Sequence, residues 1–130
     1  QHTMQNFCPV YRSEKKMLEG KNKLLLLLND FKNIKINDQS LIWNTEVIEA
    51  LELKNLLSQA IVSVDSALNR KESRGAHSRI DYSKRDDKKW LKHSLIWVNN
   101  DGKTETRFRK VNLQTNSKEI KTIEPKARVY

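Results

Sequence analysis

The sequence predicts a mainly α chain: a three-helix bundle whose first helix is truncated, then a small β-hairpin and an extended carboxy-terminal tail. Three observations carry that reading. Apolar residues recur at helical spacing through two long segments of the first 71 residues. A strong turn signal, Asn99-Asn100-Asp101-Gly102, separates two short segments of strand character. Gly75 marks a change of pattern, dividing a helical region, 1–75, from a basic region, 76–130, that holds a docking segment, the hairpin and the tail.

Gln1 to Val10 carries Met4, Phe7 and Val10 at helical spacing, with Pro9 disturbing the end. It reads as the tail of a helix, and the missing initiator Met makes the amino terminus look like a cut. A second helix is expected from about Ser13, its cap, to Asn33, with Glu14 well placed in the first turn. Met17, Leu18, Leu24, Leu25, Leu28 and Phe31 form its stripe. Leu26 and Leu27 widen it enough to predict neighbours on two sides, and Gly20 weakens it by about 1 kcal/mol relative to Ala. Lys35 to Trp43 is a connector. A long helix follows, capped by Asn44 or Thr45 and reaching roughly Lys71, with Val47, Leu51, Ile61, Val64 and Leu68 as its apolar stripe. Gly75 is its expected stop. Asp81 to Lys89 reads as a polar turn, His93 to Val98 and Thr104 to Val111 as paired strands, and Asn112 to Tyr130 as extended, bent at Pro125.

Composition bounds the function. Lys and Arg number 25 against 16 Asp and Glu, a net charge of +9, and charged residues make up 32%. The first 69 residues hold 8 of each sign, so the whole excess lies from Arg70 onward. A basic half points to an acidic partner or to ion pairing within the fold. Arg107, Arg109 and Lys110 around Phe108 would serve a nucleic-acid face, but charged edge strands also simply resist aggregation, and no nucleic-acid partner is expected. The longest apolar run, Leu24 to Leu28, is far short of the roughly 20 residues a membrane span needs. The single cysteine, Cys8, excludes a disulfide within the chain. Cys8 with His2 or His77 makes no recognisable nucleophile–base pair, three histidines and one cysteine give no metal-ligand spacing, and Asp86-Asp87 reads as an ion-paired turn. Three glycines leave no place for a dinucleotide-cradling loop. No catalytic, cofactor-binding or metal-binding residue is expected among the 130.

Arg70-Lys71-Glu72-Ser73-Arg74-Gly75-Ala76-His77-Ser78-Arg79 follows the long helix directly. Glu72 and Arg74 read as its end, Gly75 as a sharp exit, and His77 and Arg79 as planar donors projecting from an irregular segment suited to an interface. This segment closely resembles a signature of the succinate dehydrogenase and fumarate reductase flavoproteins. Met4-Gln5-Asn6, Val10-Tyr11-Arg12, Trp43-Asn44-Thr45, Leu51-Glu52-Leu53-Lys54-Asn55-Leu56, Arg85-Asp86-Asp87, Trp90-Leu91-Lys92-His93-Ser94-Leu95 and the ending Pro125-Lys126-Ala127-Arg128-Val129-Tyr130 resemble the same family, in the same order. Trp-Asn-Thr and Arg-Val-Tyr lean toward succinate dehydrogenase; fumarate reductase and L-aspartate oxidase are the alternatives.

The resemblance implies a carboxy-terminal scaffold of a larger chain. Its FAD, catalytic arginine and dicarboxylate-binding residues would lie upstream, in flavin and capping domains. Such a chain oxidises succinate to fumarate and passes electrons to an iron–sulfur subunit and quinone, within a complex carrying membrane-anchor subunits. It would sit peripherally on the cytoplasmic face of a bacterial inner membrane or on the mitochondrial matrix face. Glu72, Arg74, His77, Arg79, Asp86, Asp87 and Trp90 are expected to dock the bundle onto the flavin domain. Several unpaired arginines, or self-association through the exposed surface, would follow in this chain by itself.

Overall fold

The computed structural model describes residues 1–117 and 119–126. In chain order the elements are α1 (His2–Phe7), β1 (Tyr11–Arg12), α2 (Glu14–Phe31), α3 (Thr45–Asn69), β2 (Ser78–Arg79), α4 (Asp87–Trp90), β3 (Lys92–Val98) and β4 (Thr104–Lys110). The bundle, the hairpin and their order follow the sequence reading. The ending Ala127 to Tyr130 lies outside the described residues, and the rest of the tail, described except for Lys118, forms no helix or strand.

Helices α2 and α3 pack antiparallel. Lys21 meets Asp65, and Leu28 and Phe31 lie near Ser58 and Ile61. Met17 and Leu24 from α2 join Leu57, Ile61, Val64, Ala67 and Leu68 from α3 in a buried core, with Met4, Cys8 and Val98 packed at its edge. The short α1 lies across α2 at Gly20, where an added Cβ would come within 2.5 Å of the Phe7 Cβ. The glycine that weakens α2 is therefore the one that lets α1 approach.

The two long helices differ in length. At 1.5 Å per residue, α3 measures about 37 Å and α2 about 27 Å, so the first turns of α3 project past their partner. Of the predicted stripe, Ile61, Val64 and Leu68 are core while Val47 and Leu51 are exposed; Leu57 joins the core, and Ile48 and Leu56 are exposed. The second neighbour expected for α2 is α1, but it covers Gly20 and not the residues that widened the stripe: Leu18, Leu26 and Leu27 are exposed.

The cap of α3 is Asn44, whose side chain accepts from the Val47 N–H at 3.0 Å. The helix stops at Asn69, six residues before Gly75, because the Arg70 backbone turns extended. Gly75, at φ +56°, instead forms the tight turn that bonds Arg74 back to His77. The segment expected to be only turn-like contains α4, capped by Asp86 through the Lys89 N–H.

Strands β3 and β4 pair antiparallel from Lys92–Lys110 to Val98–Thr104. Their turn is held by Asn99, whose side-chain oxygen accepts from the Asp101 and Lys103 N–H groups. Gly102, at φ +78°, seats the turn against Leu25 and Leu28 of α2. One face of the hairpin lies along α3: Thr104 bonds Asp65, and Asn69 donates to Thr106. A parallel pairing that periodicity did not reveal, β1 with β2, joins Tyr11–Arg12 to Ser78–Arg79 and so ties the chain's start to the signature segment.

Candidate functional site: the arginine junction and the apolar tip

The signature residues converge where α3 ends. Its last carbonyls have no helical partner and carry partial negative charge. Arg79, brought over them by the β1–β2 pairing, supplies the cation. Its Nη1 donates to the carbonyls of Ala67 at 2.9 Å and Leu68 at 3.2 Å. Nε and Nη2 each donate to an Asp81 carboxylate oxygen at 2.7 Å. The side chain is 1% exposed and lies against the Tyr82 ring. Hydrogen bonding from Arg79 pulls the Asp81 carboxyl down to about 2, helped by the Glu14 N–H.

Glu72 is the second centre and is fully buried. Its carboxylate accepts from Arg70 at 2.7 Å, from Arg74 at 2.8 and 3.1 Å, and from the Asp86 N–H at 2.9 Å. Burial works to raise its pKa, but these donors outweigh it and hold the group below the usual range. Arg74 continues to Asp87, which also pairs with Arg85. Arg70 reaches the carbonyls of Trp90 and Lys92 and the Ser94 hydroxyl, fastening the hairpin to the bundle. Trp90 packs edge-on against Phe108 and lies under Arg70.

His77 bridges the two centres. Its Nε2 lies 3.1 Å from the Arg70 carbonyl and its Nδ1 2.9 Å from an Arg12 guanidinium nitrogen. Arg12 can only donate, so the ring is neutral with the proton on Nε2. Burial and the nearby Arg12, Arg79 and Arg70 charges depress its pKa, against a raising contribution from the Arg70 carbonyl.

All seven expected docking residues thus meet in one network. The unpaired arginines expected there do not occur: Arg74 and Arg79 are spent on Glu72, Asp87, Asp81 and the helix end, since buried guanidiniums need partners in the same fold. Glu72 and Arg79 expose no side chain to a partner. No buried side-chain N or O atom among the described residues lacks a hydrogen-bond partner.

The other candidates are also placed. Cys8 is half-buried at the core's edge, and burial pushes its thiol up, partly opposed by Arg12. A raised thiol is a poor nucleophile. His2 bonds Asn6 on its own helix. The glycines sit at a helix crossing, a tight turn and a hairpin, none of them a strand-to-helix phosphate loop. The described residues therefore do not fit a flavin cradle, and no group of three or more His, Cys, Asp or Glu among them could hold a metal ion.

A feature that periodicity missed lies at the opposite end. Glu46 accepts from the backbone of Asn37 and Asp38, and Asn44 donates to the carbonyls of Asp38 and Ser40. This polar lattice holds Leu41 and Trp43 outward, 99% and 91% exposed, with Trp43 at φ +57°. With Ile42, Ile48 and Leu51 they make an apolar tip. The signal in the sequence was the apolar triplet Leu41-Ile42-Trp43 set between polar turn residues and a helix cap.

A helical bundle clamped to a hairpin by an arginine–carboxylate junction, with an apolar tip left open, defines a small α-helical domain without a catalytic constellation among the described residues. The whole chain, residues 1–130, matches the family described as fumarate reductase flavoprotein C-term. It is 48% identical to the succinate dehydrogenase flavoprotein subunit of Rickettsia bellii and 44% identical to the mitochondrial succinate dehydrogenase [ubiquinone] flavoprotein subunit of Oryza sativa. Each match covers all of this chain, and 22% and 20% of those proteins. Among solved structures, E. coli quinol fumarate reductase FrdA superposes with a TM-score of 0.82 at 34% identity, over 95% of this chain and 22% of that one. The chain belongs to the carboxy-terminal domain family of succinate dehydrogenase and fumarate reductase flavoprotein subunits. It spans about a fifth of the length of these relatives.

Proposed function

We propose that this chain is the carboxy-terminal scaffold of a succinate dehydrogenase flavoprotein subunit. The parent protein oxidises succinate to fumarate with FAD held by upstream flavin and capping domains. It hands the electrons to an iron–sulfur subunit and quinone in a complex with membrane-anchor subunits. The complex sits on the cytoplasmic face of a bacterial inner membrane or on the mitochondrial matrix face. Identities of 48% and 44% to two succinate dehydrogenase flavoprotein subunits support this reading. No helix among the described residues is long and apolar enough to cross a membrane.

The observation that carries the scaffold role is the apolar tip, because exposed clusters of large apolar side chains mark interaction sites. The tip seats on the flavin domain. Arg74, His77, Asp86, Asp87 and Trp90 continue the contact at the junction, while Glu72 and Arg79 hold that surface in shape from inside. The test is to express the longest reading frame containing these residues beside the 130-residue chain. Bound flavin and succinate-dependent dye reduction are expected only in the longer protein. Yellow colour or dicarboxylate turnover in the 130 residues alone overturns the reading.

A further inference from the structure

A cavity of about 890 Å³ opens between the α1–β1 corner, the last turns of α3 and the start of β3. That is the size range of small-molecule sites, roughly 300–1,000 Å³. No Asp or Glu lines it. Arg70 and Arg74 form part of its wall but are spent on Glu72. Arg12 and Lys92 are different: among the described residues neither has a carboxylate partner. Arg12 donates only to the Pro9 carbonyl and to His77. The Lys92 ammonium rests over the Phe108 and Trp90 rings, 4.0 and 5.1 Å from their centroids. Lys92 also stands opposite Lys110 in the hairpin register, a like-charge pair that costs stability. Ser63 and Ser66, one turn apart on α3, add hydroxyls to the same wall.

We propose that this cavity binds a small oxyanion of the phosphate class, held between Arg12 and Lys92 with the Ser63 and Ser66 hydroxyls as further donors. The lining comes from this chain, and it shares Arg74, His77 and Trp90 with the surface proposed to meet the flavin domain, so the site is proposed for the 130-residue chain. It also carries its own reporter. His77 faces Arg12 from β1, Arg70 from the end of α3, Arg79 from β2 and Arg74 across the turn. A bound anion offsets the repulsion these charges exert on the imidazolium, so it raises the His77 pKa.

The experiment is a histidine-ring NMR titration of the chain in sodium phosphate, in glycerol phosphate and in acetate, each against sodium chloride of equal ionic strength. The His77 pKa is expected to rise by about half a unit or more over chloride. Comparing inorganic phosphate with glycerol phosphate identifies free ion or monoester as the better ligand. Lys92→Gln and, separately, Ser63→Ala should weaken the phosphate response about two- to fivefold, the scale of one exposed polar contact. An equal shift in chloride, which would mean an adventitious ion atmosphere only, overturns the site. So does a stronger response to acetate, or a phosphate response untouched by both substitutions.

Discussion

Arg79 grips Asp81 through two parallel hydrogen bonds of 2.7 Å while its third nitrogen donates to the last carbonyls of α3. One side chain from a two-residue strand thus closes a 25-residue helix. Replacing Arg79 with Met leaves the helix-end carbonyls without their donor, while water can solvate the exposed Asp81 carboxylate, and should cost about 1–3 kcal/mol, the penalty of buried acceptors left unsatisfied. Arg79→Lys should recover little of it, because a point charge cannot serve both acceptors at once. Urea denaturation midpoints of the two variants check this.

The same pair sets an acid limit. The folded Asp81 pKa of about 2 lies below its ordinary 3.8, so the folded state binds its proton less readily than the unfolded chain. The stabilisation is fully present above pH 3.8 and is lost as pH falls toward 2. In Asp81→Asn that part of the acid sensitivity should vanish, which is read from stability between pH 5 and 2.

His77 acts in a higher window. Its folded pKa is depressed below 6.5, so below that pH the unfolded chain binds more protons and stability falls as the solution is acidified. Protonated Nδ1 would also turn a donor toward the Arg12 guanidinium. The urea midpoint at pH 5.5 should be lower than at pH 7.5, and His77→Gln should flatten the difference. A midpoint independent of pH across this window would rule out a neutral His77.

Gly20→Ala is expected to destabilise, although alanine favours a helix by about 1 kcal/mol. The new Cβ would lie 2.5 Å from the Phe7 Cβ, where neither backbone can give way cheaply. Overpacking of this kind costs about 1–3 kcal/mol. Thermal unfolding of the variant, and loss of amide protection in His2–Phe7, would show α1 lifting from α2.

The double substitution Trp43→Ser with Leu51→Lys should leave stability within about 0.5 kcal/mol, since both side chains are exposed. It should reduce self-association of the 130-residue chain in sedimentation. In the full parent chain it should reduce flavin retention. Unchanged behaviour in both would remove the tip from the docking surface.

Much of the architecture was legible in local pattern. The 3.6-residue stripe located α2 and α3, Asn44 was readable as a cap, and Asn99 to Gly102 gave the hairpin turn. The ordered motifs from Met4 to Leu95 identified the family. Where α3 stops was not legible. A helix can end at any residue whose carbonyls find another donor, and here the donor, Arg79, is ten residues beyond Asn69 in sequence. Gly75, the local stop signal, belongs to the next turn. The parallel β1–β2 pairing involves two residues a side, too few for any period to register.

The sequence by itself determined the bundle helices and the hairpin strands, and that the signature residues belong together. Those properties depend on neighbours within a few positions and on side-chain chemistry. Only the tertiary structure decided what the charges face. It turned Glu72 and Arg79 inward and paired Arg74, because a buried charge must be matched by whatever the fold brings within hydrogen-bond reach. It also left the apolar start of α3 uncovered, because α2 is seven residues shorter than its partner.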